Sequence, residues 1–205
     1  MVLKKQKQTK GAGTKAKIVK KAMQLVTKKG LDQVSVREVA RACKISSATA
    51  FYHFPTKETL ILEIINNVVL GNHETVSKLM TIYDNAFEKL HKHIQGNLLW
   101  AKDKPEQAQI LLLLYYMGGV HSDFSIIYKS LLFKARERIK EHLLSGKRED
   151  IFFFTASEDL VAEYIHNTLV GAVVNSTASQ TETRMTENDW QFFLKSVTHF
   201  QNKKD

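Results

Sequence analysis

Residues 34–60 read VSVREVARACKISSATAFYHFPTKETL, and the order of caps and apolar positions in that stretch decides the fold. Ser35 precedes Val36, Val39 and Ala40, with Glu38 three residues after it, the spacing of a capping box at the start of a short amphipathic helix. Cys43, Lys44 and Ile45 then form a turn, too polar and too short for a strand. Ser46 caps a second helix, roughly Ser47 to Tyr52, whose exposed face carries Ser47, Ala48, Thr49 and Tyr52. Pro55 ends that run, and Thr56 caps a third helix with Glu58 in its first turn, where the helix dipole favours an acid. Two short helices around a turn of a few residues form a helix-turn-helix, whose second helix reads the DNA major groove.

From about Thr14 to Ile65 the chain resembles the DNA-binding domain of the TetR family of bacterial transcriptional repressors. The resemblance rests on Ile18, Ala22 and Gly30 in the first helix, on VSVREVARACKIS, and on TAFYHFPTKETL with its aromatic cluster before Pro55 and Lys57. It covers about a quarter of the chain; beyond Ile65 it is one of architecture. It implies that Ser35, Arg37, Tyr52, His53 and Lys57 position the protein on phosphates, that Ser47, Ala48 and Thr49 face base edges, and that Ser46 and Phe51 belong to the same DNA-binding set. The family usually has tyrosine where this chain has Phe51, so a phosphate-bonding hydroxyl is missing. It often has glycine at Ala48, where the added methyl can meet a thymine methyl.

Composition supports an all-α fold. The 205 residues include only two prolines and nine glycines, and apolar residues recur at three- and four-residue steps nearly throughout. The net charge of +9 is unevenly placed. Residues 1–60 hold 14 Lys and Arg against Asp32, Glu38 and Glu58, a net +11, whereas residues 61–205 hold 16 against 18, a net −2. All the excess lies on the segment with the helix-turn-helix, the electrostatic footprint of a phosphate-binding surface and of double-stranded DNA as partner. The single cysteine, Cys43, excludes an internal disulfide framework. The longest apolar run, Ile110 to Val120, falls short of the ~18 residues that span a bilayer, and no apolar segment backs the basic N-terminus, so the expected location is cytoplasmic, without membrane contact.

The expected organisation is a flexible basic arm over residues 1–13, a helix-turn-helix domain over 14–60 and a helical effector-binding and dimerisation domain over 61–205. Thr14 caps the first helix and Gly30 stops it. The helix from Thr56 runs past the motif towards Leu79. Asp84 opens the next; Pro105 starts another that Gly118 and Gly119 end. A long helix follows over Ser122 to Leu144, with Ile126, Ile127, Leu131, Leu132, Ala135 and Ile139 inward, closed by Gly146. Ile151 to Phe154 reads as a helix start or a packed connection. Thr155 and Glu158 form a second capping box, and Thr186 caps the last helix. The stripes Tyr164, Thr168, Gly171, Ala172 and Trp190, Phe193, Val197 either complete a four-helix bundle with a second subunit or close the protomer's own core. The resemblance, in which the last two long helices form the dimer interface, implies a homodimer.

His91 and His93 point to different faces of a helix and the remaining histidines lack ligand spacing, so no metal and no cofactor is expected. No nucleophile elbow, glycine-rich phosphate loop or carboxylate pair is present, so the chain does not read as an enzyme. Glu63 is either a lone functional acid or a solvated charge. Trp100, Tyr115, Tyr116, Phe124 and Tyr128 exceed what a plain helical core needs, and they suggest a cavity for a small apolar effector, the place the resemblance implies for a ligand pocket. The resulting expectation is a ligand-released repressor binding a palindromic operator as a dimer. The alternative is an effector-independent helix-turn-helix protein with an architectural or division-associated role.

Overall fold

The computed structural model describes residues 10–120, 122–178 and 185–201. Nine α-helices run through them: α1 Lys10–Lys29, α2 Val36–Cys43, α3 Ser47–His53, α4 Lys57–Leu79, α5 Ala86–Asp103, α6 Pro105–Val120, α7 Ser122–Arg148, α8 Glu158–Ala178 and α9 Glu187–Thr198. No strand occurs among the described residues. The protein is all-α, a three-helix helix-turn-helix unit followed by further helices that extend its core.

The caps of the first unit are the local chemistry read from the sequence. Ser35 Oγ accepts from the Glu38 amide (3.2 Å), Ser46 Oγ from that of Thr49 (3.1 Å) and Thr56 Oγ1 from that of Thr59 (3.2 Å). The Ser35 box is only half formed: the Glu38 carboxylate turns to Lys29 at the end of α1, and this ion pair holds its pKa below the usual carboxylate value. Lys44 takes a left-handed conformation (φ 56°), and the amides of Lys44 and Ile45 return to Arg41 and Ala40 to close α2. Gly30 does the same after α1 (φ 89°).

Several boundaries differ from expectation. α1 begins at Lys10 rather than at Thr14, so residues 10–13 are helical; residues 1–9 lie outside the described residues. Asn85, not Asp84, caps α5 through a box with Glu88; Asp84 accepts from the Thr81 amide (2.7 Å) and pairs with Lys92 (2.6 Å), stapling the preceding turn to the helix. Ser157 rather than Thr155 caps α8, because its Oγ is the one within reach of the Leu160 amide. Thr186 caps α9 as its spacing to Asp189 implies.

Neither Gly118 nor Gly146 ends its helix. A Cβ at Gly118 would lie 2.4 Å from the Tyr128 Cβ, and one at Gly146 2.0 Å from the Phe152 ring. Both are demanded by close approach of a neighbour, not by a turn. Ile151 to Phe154 is a packed connection: the Phe153 amide donates to Thr198 O (3.0 Å), the Gln201 amide returns to Ile151 O (3.1 Å), and Ile151, Phe152 and Phe154 are buried.

α4 joins the two halves. Near its front, Glu63 pairs with Lys15 of α1 (2.9 Å), which identifies that acid as a surface ion pair. At its rear, a Cβ on Gly96 of α5 would lie 2.8 Å from the Val76 Cα, so the two helices touch backbone to backbone. One core runs from Ile18, Ala22, Val39 and Ala40 through Ile64 and Val68 of α4 to Leu90, Ile94, Leu114 and Ile139. Ile126 is the exception to the expected α7 stripe at 78% exposure: it and Ile127 sit ~100° apart on the helix, and Ile127 takes the inward position.

Candidate nucleic-acid interface and cavity

The predicted DNA-contacting residues lie on α2, α3 and the start of α4. Ser35, Arg37, Ser46, Ser47, Ala48, Thr49, Phe51 and Tyr52 are exposed, and His53 and Lys57 half-buried. Beneath them Val39, Ala40, Cys43, Ala50 and Phe54 are buried, so an apolar seam shared by α2 and α3 fixes the outward face. Cys43 donates to Lys17 O (3.8 Å), and burial raises its thiol pKa, a packed thiol and not a reactive one.

The tips of these side chains are partly organised already. Tyr52 stands 84% exposed with its ring edge-on to His53 (5.2 Å). The Arg37 guanidinium lies over the Phe51 ring (5.9 Å to the centroid). Thr49 Oγ1 shares a hydrogen bond with Ser46 Oγ (2.8 Å). Lys57 donates to the Asp32 carbonyl in the α1–α2 loop, a partner with no local sequence signal because it lies 25 residues away.

In the C-terminal half a cavity of about 90 Å³ opens between α4, α5, α6, α7 and α8. Of the five predicted pocket residues, Trp100 and Tyr115 line it. Tyr116, about 100° further round α6, is turned away from the cavity and 66% exposed. Phe124 packs against the core without lining the cavity, and Tyr128 stands behind the wall, edge-on to Tyr115 (5.2 Å).

The lining that sequence reading missed is polar. Asn72 donates to Asn97 Oδ1 (3.0 Å), Asn97 to His93 O (2.8 Å), and the Tyr115 hydroxyl bonds His166 Nε2 (3.1 Å). Burial pushes the His93 pKa down to about 3 and that of His166 to about 4, so both rings are neutral at pH 7; it raises that of Tyr115. Lys134 and Arg138 of α7 complete the set. Its trace was legible as polar residues at core spacing: His93, Asn97 and Trp100 at four and three, Lys134 and Arg138 at four. Among the described residues no group of three metal-ligating side chains converges, and no helix is long and apolar enough to cross a membrane.

The two stripes assigned to a dimer face divide. Trp190 is buried (3% exposed), packed edge-on against Phe193 (5.7 Å) in the protomer's own core, which corrects its assignment to the interface. Ala172, Phe193 and Val197 are half-buried against that core, and Thr168 half-buried. Tyr164 and Gly171 are exposed, as are Leu160, Val174 and Phe192 on the same two helices.

Comparison with known proteins agrees with this geometry. Residues 18–64 match the model of bacterial regulatory proteins, tetR family. An uncharacterized HTH-type transcriptional regulator, YuxN of Bacillus subtilis (strain 168), is 32% identical over 89 residues, 42% of this chain; the aligned part spans about a third (31%) of that relative. Salmonella enterica GusR shares the fold at a TM-score of 0.75 and 14% identity, covering 93% of this chain and 98% of its own. A putative transcriptional regulator from Saccharomonospora viridis, solved in complex with choline, does so at 0.72 and 19%, covering 92% and 96%. The ketosteroid regulator KstR2 of Mycobacterium tuberculosis does so at 0.63 and 18%, covering 95% and 98%. The helix-turn-helix thus matches the model of the tetR family of bacterial regulatory proteins, and over nearly its whole length the chain shares the fold of these solved regulators.

Proposed function

We propose that the chain is a cytoplasmic transcriptional repressor that binds a palindromic operator as a homodimer and leaves it when a small ligand fills the cavity. The observation that carries this reading is α4 itself. One helix holds Lys57 at the DNA-facing end and Val69 and Asn72 in the cavity wall. A ligand between α4 and α8 shifts the rear of that helix, and in a two-fold dimer the shift changes the spacing of the two recognition helices. Release requires the ligand to prefer the splayed form; a hundredfold preference is about 2.7 kcal/mol of coupling, and operator DNA then weakens ligand binding by the same factor. The cavity also argues against the effector-independent alternative, which has no use for one.

The DNA-binding half is tested at Lys57. Lys57→Ala should weaken binding to all sequences alike and flatten the log–log salt dependence by ~0.9, the share of a single neutralised phosphate. Thr49→Ala should instead alter base preference, the Ser46 cap on its amide being left in place. An unchanged salt slope for Lys57→Ala refutes the phosphate role.

A further inference from the structure

Five of the basic residues of α7 fall into two sets. Arg136, Lys140 and Lys147 each meet an acid of α8: Glu163 at 2.9 Å, Asp159 at 2.6 Å and Glu158 at 2.6 Å. Lys134 and Arg138, four residues apart and so on one face, line the cavity instead. Among the described residues neither has a carboxylate within ion-pair distance, and no aspartate or glutamate lines the cavity. Glu141 acts on Arg138 from the neighbouring crevice, which it shares with His73 and His142.

We infer that this cavity is an anion site, and that its ligand is a carboxylate on an apolar body with Arg138 as counter-ion. The inference rests on the ligand-binding reading above and names the chemical class that site takes. A half-buried guanidinium keeps its charge, and leaving it unpaired costs desolvation energy that a bound anion recovers. His93, His166 and Tyr115 are neutral at pH 7 and orient the ligand without adding charge, so Lys134 and Arg138 alone set the sign of the site. Trp100, Leu112 and Val170 supply apolar wall for the rest of the molecule.

Size narrows the choice. The cavity is about 90 Å³, against the ~150 Å³ of an engineered cavity that admits benzene. It holds a carboxylate with a short chain; the head of a longer acid fits only if its tail leaves past the exposed Lys134. A chain-length series separates these two sources.

The test is calorimetric titration of the full chain, without DNA, using butyrate, octanoate, butyramide and choline. A carboxylate should bind, the isosteric butyramide about tenfold or more weaker than butyrate, and choline not at all. Butyrate above octanoate identifies a short acid as the ligand, and the reverse a longer one. Arg138→Met should weaken carboxylate binding about tenfold or more, and Arg138→Lys should restore most of it. Butyramide equal to butyrate, binding of choline, indifference to Arg138→Met, or silence with both carboxylates each overturns the inference. Should the variant not fold, the wild-type comparison of butyrate with butyramide still decides. A carboxylate that binds yet leaves operator affinity unchanged refutes release by ligand and leaves the anion site standing.

Discussion

The Arg37 guanidinium lies over the ring of Phe51, 5.9 Å from its centroid, at the junction of the two helices of the DNA-reading unit. The ring stands where the family that this segment resembles usually has tyrosine, so the position keeps the platform under Arg37 and lacks the hydroxyl. Such a contact is worth roughly 0.5–1 kcal/mol at an exposed site. Phe51→Ala should therefore weaken operator binding about two- to fivefold by freeing Arg37. Phe51→Tyr should keep the platform, add a phosphate hydrogen bond and tighten binding. Fluorescence anisotropy on an operator fragment at fixed salt measures both, and two unchanged affinities would mean the ring is idle on the surface.

Gly171 gives a clean test of the dimer. A Cβ built there meets nothing within 4 Å in the protomer, so a larger residue costs the isolated fold little. Gly171→Arg should nonetheless yield monomers, by setting a bulky charge on the exposed side of α8, which also carries Tyr164 and Val174, where a second subunit is proposed to approach. Sedimentation of the variant decides: an intact dimer moves the interface to another surface.

Stability should fall as the solution is acidified through the histidine range. Unfolded, His93 and His166 titrate near 6.5; folded, burial lowers them to about 3 and about 4. Above the unfolded value their contribution is complete. As pH drops below it the unfolded chain takes up protons that the fold refuses, at roughly 1 kcal/mol per pH unit for each histidine, down to the folded values. The carboxylates with lowered pKa, Glu38, Glu58, Asp84, Glu158 and Asp189, act only further down, below about their own unfolded values near 4. Urea unfolding at pH 7.5 and pH 5.0 should show the loss, and His166→Gln should reduce the difference. Equal stabilities at the two pH values would mean these rings are not held neutral.

Much of the DNA-reading unit is local in origin. Ser35, Ser46 and Thr56 each satisfy an amide three residues ahead, and a bond of that span needs no distant partner. The basic excess on residues 1–60 is likewise a property of the chain and not of its path. Helical periodicity carried the all-α fold for the same reason: a stripe at three and four marks a helix whatever lies against it.

Tertiary structure alone decided what those stripes meet. Tyr115 and Tyr116 differ by ~100° around one helix, and the position of α8, which brings His166 to Tyr115, made one a cavity wall and the other a surface residue. Gly118 and Gly146 read as helix ends because glycine is a good stop; they are spaces for Tyr128 and Phe152, whose approach no local rule encodes. Trp190 had the pattern of an interface and belongs to the protomer's core. The sign of the cavity was the least legible feature. Arg136 and Arg138 are two residues apart with the same charge, but one faces Glu163 and the other an open space, and that follows from the rotation of α7 against α8. Caps and periodicity are settled by atoms within a turn of one another, whereas pairing, burial and cavities depend on side chains that meet only after the helices have packed.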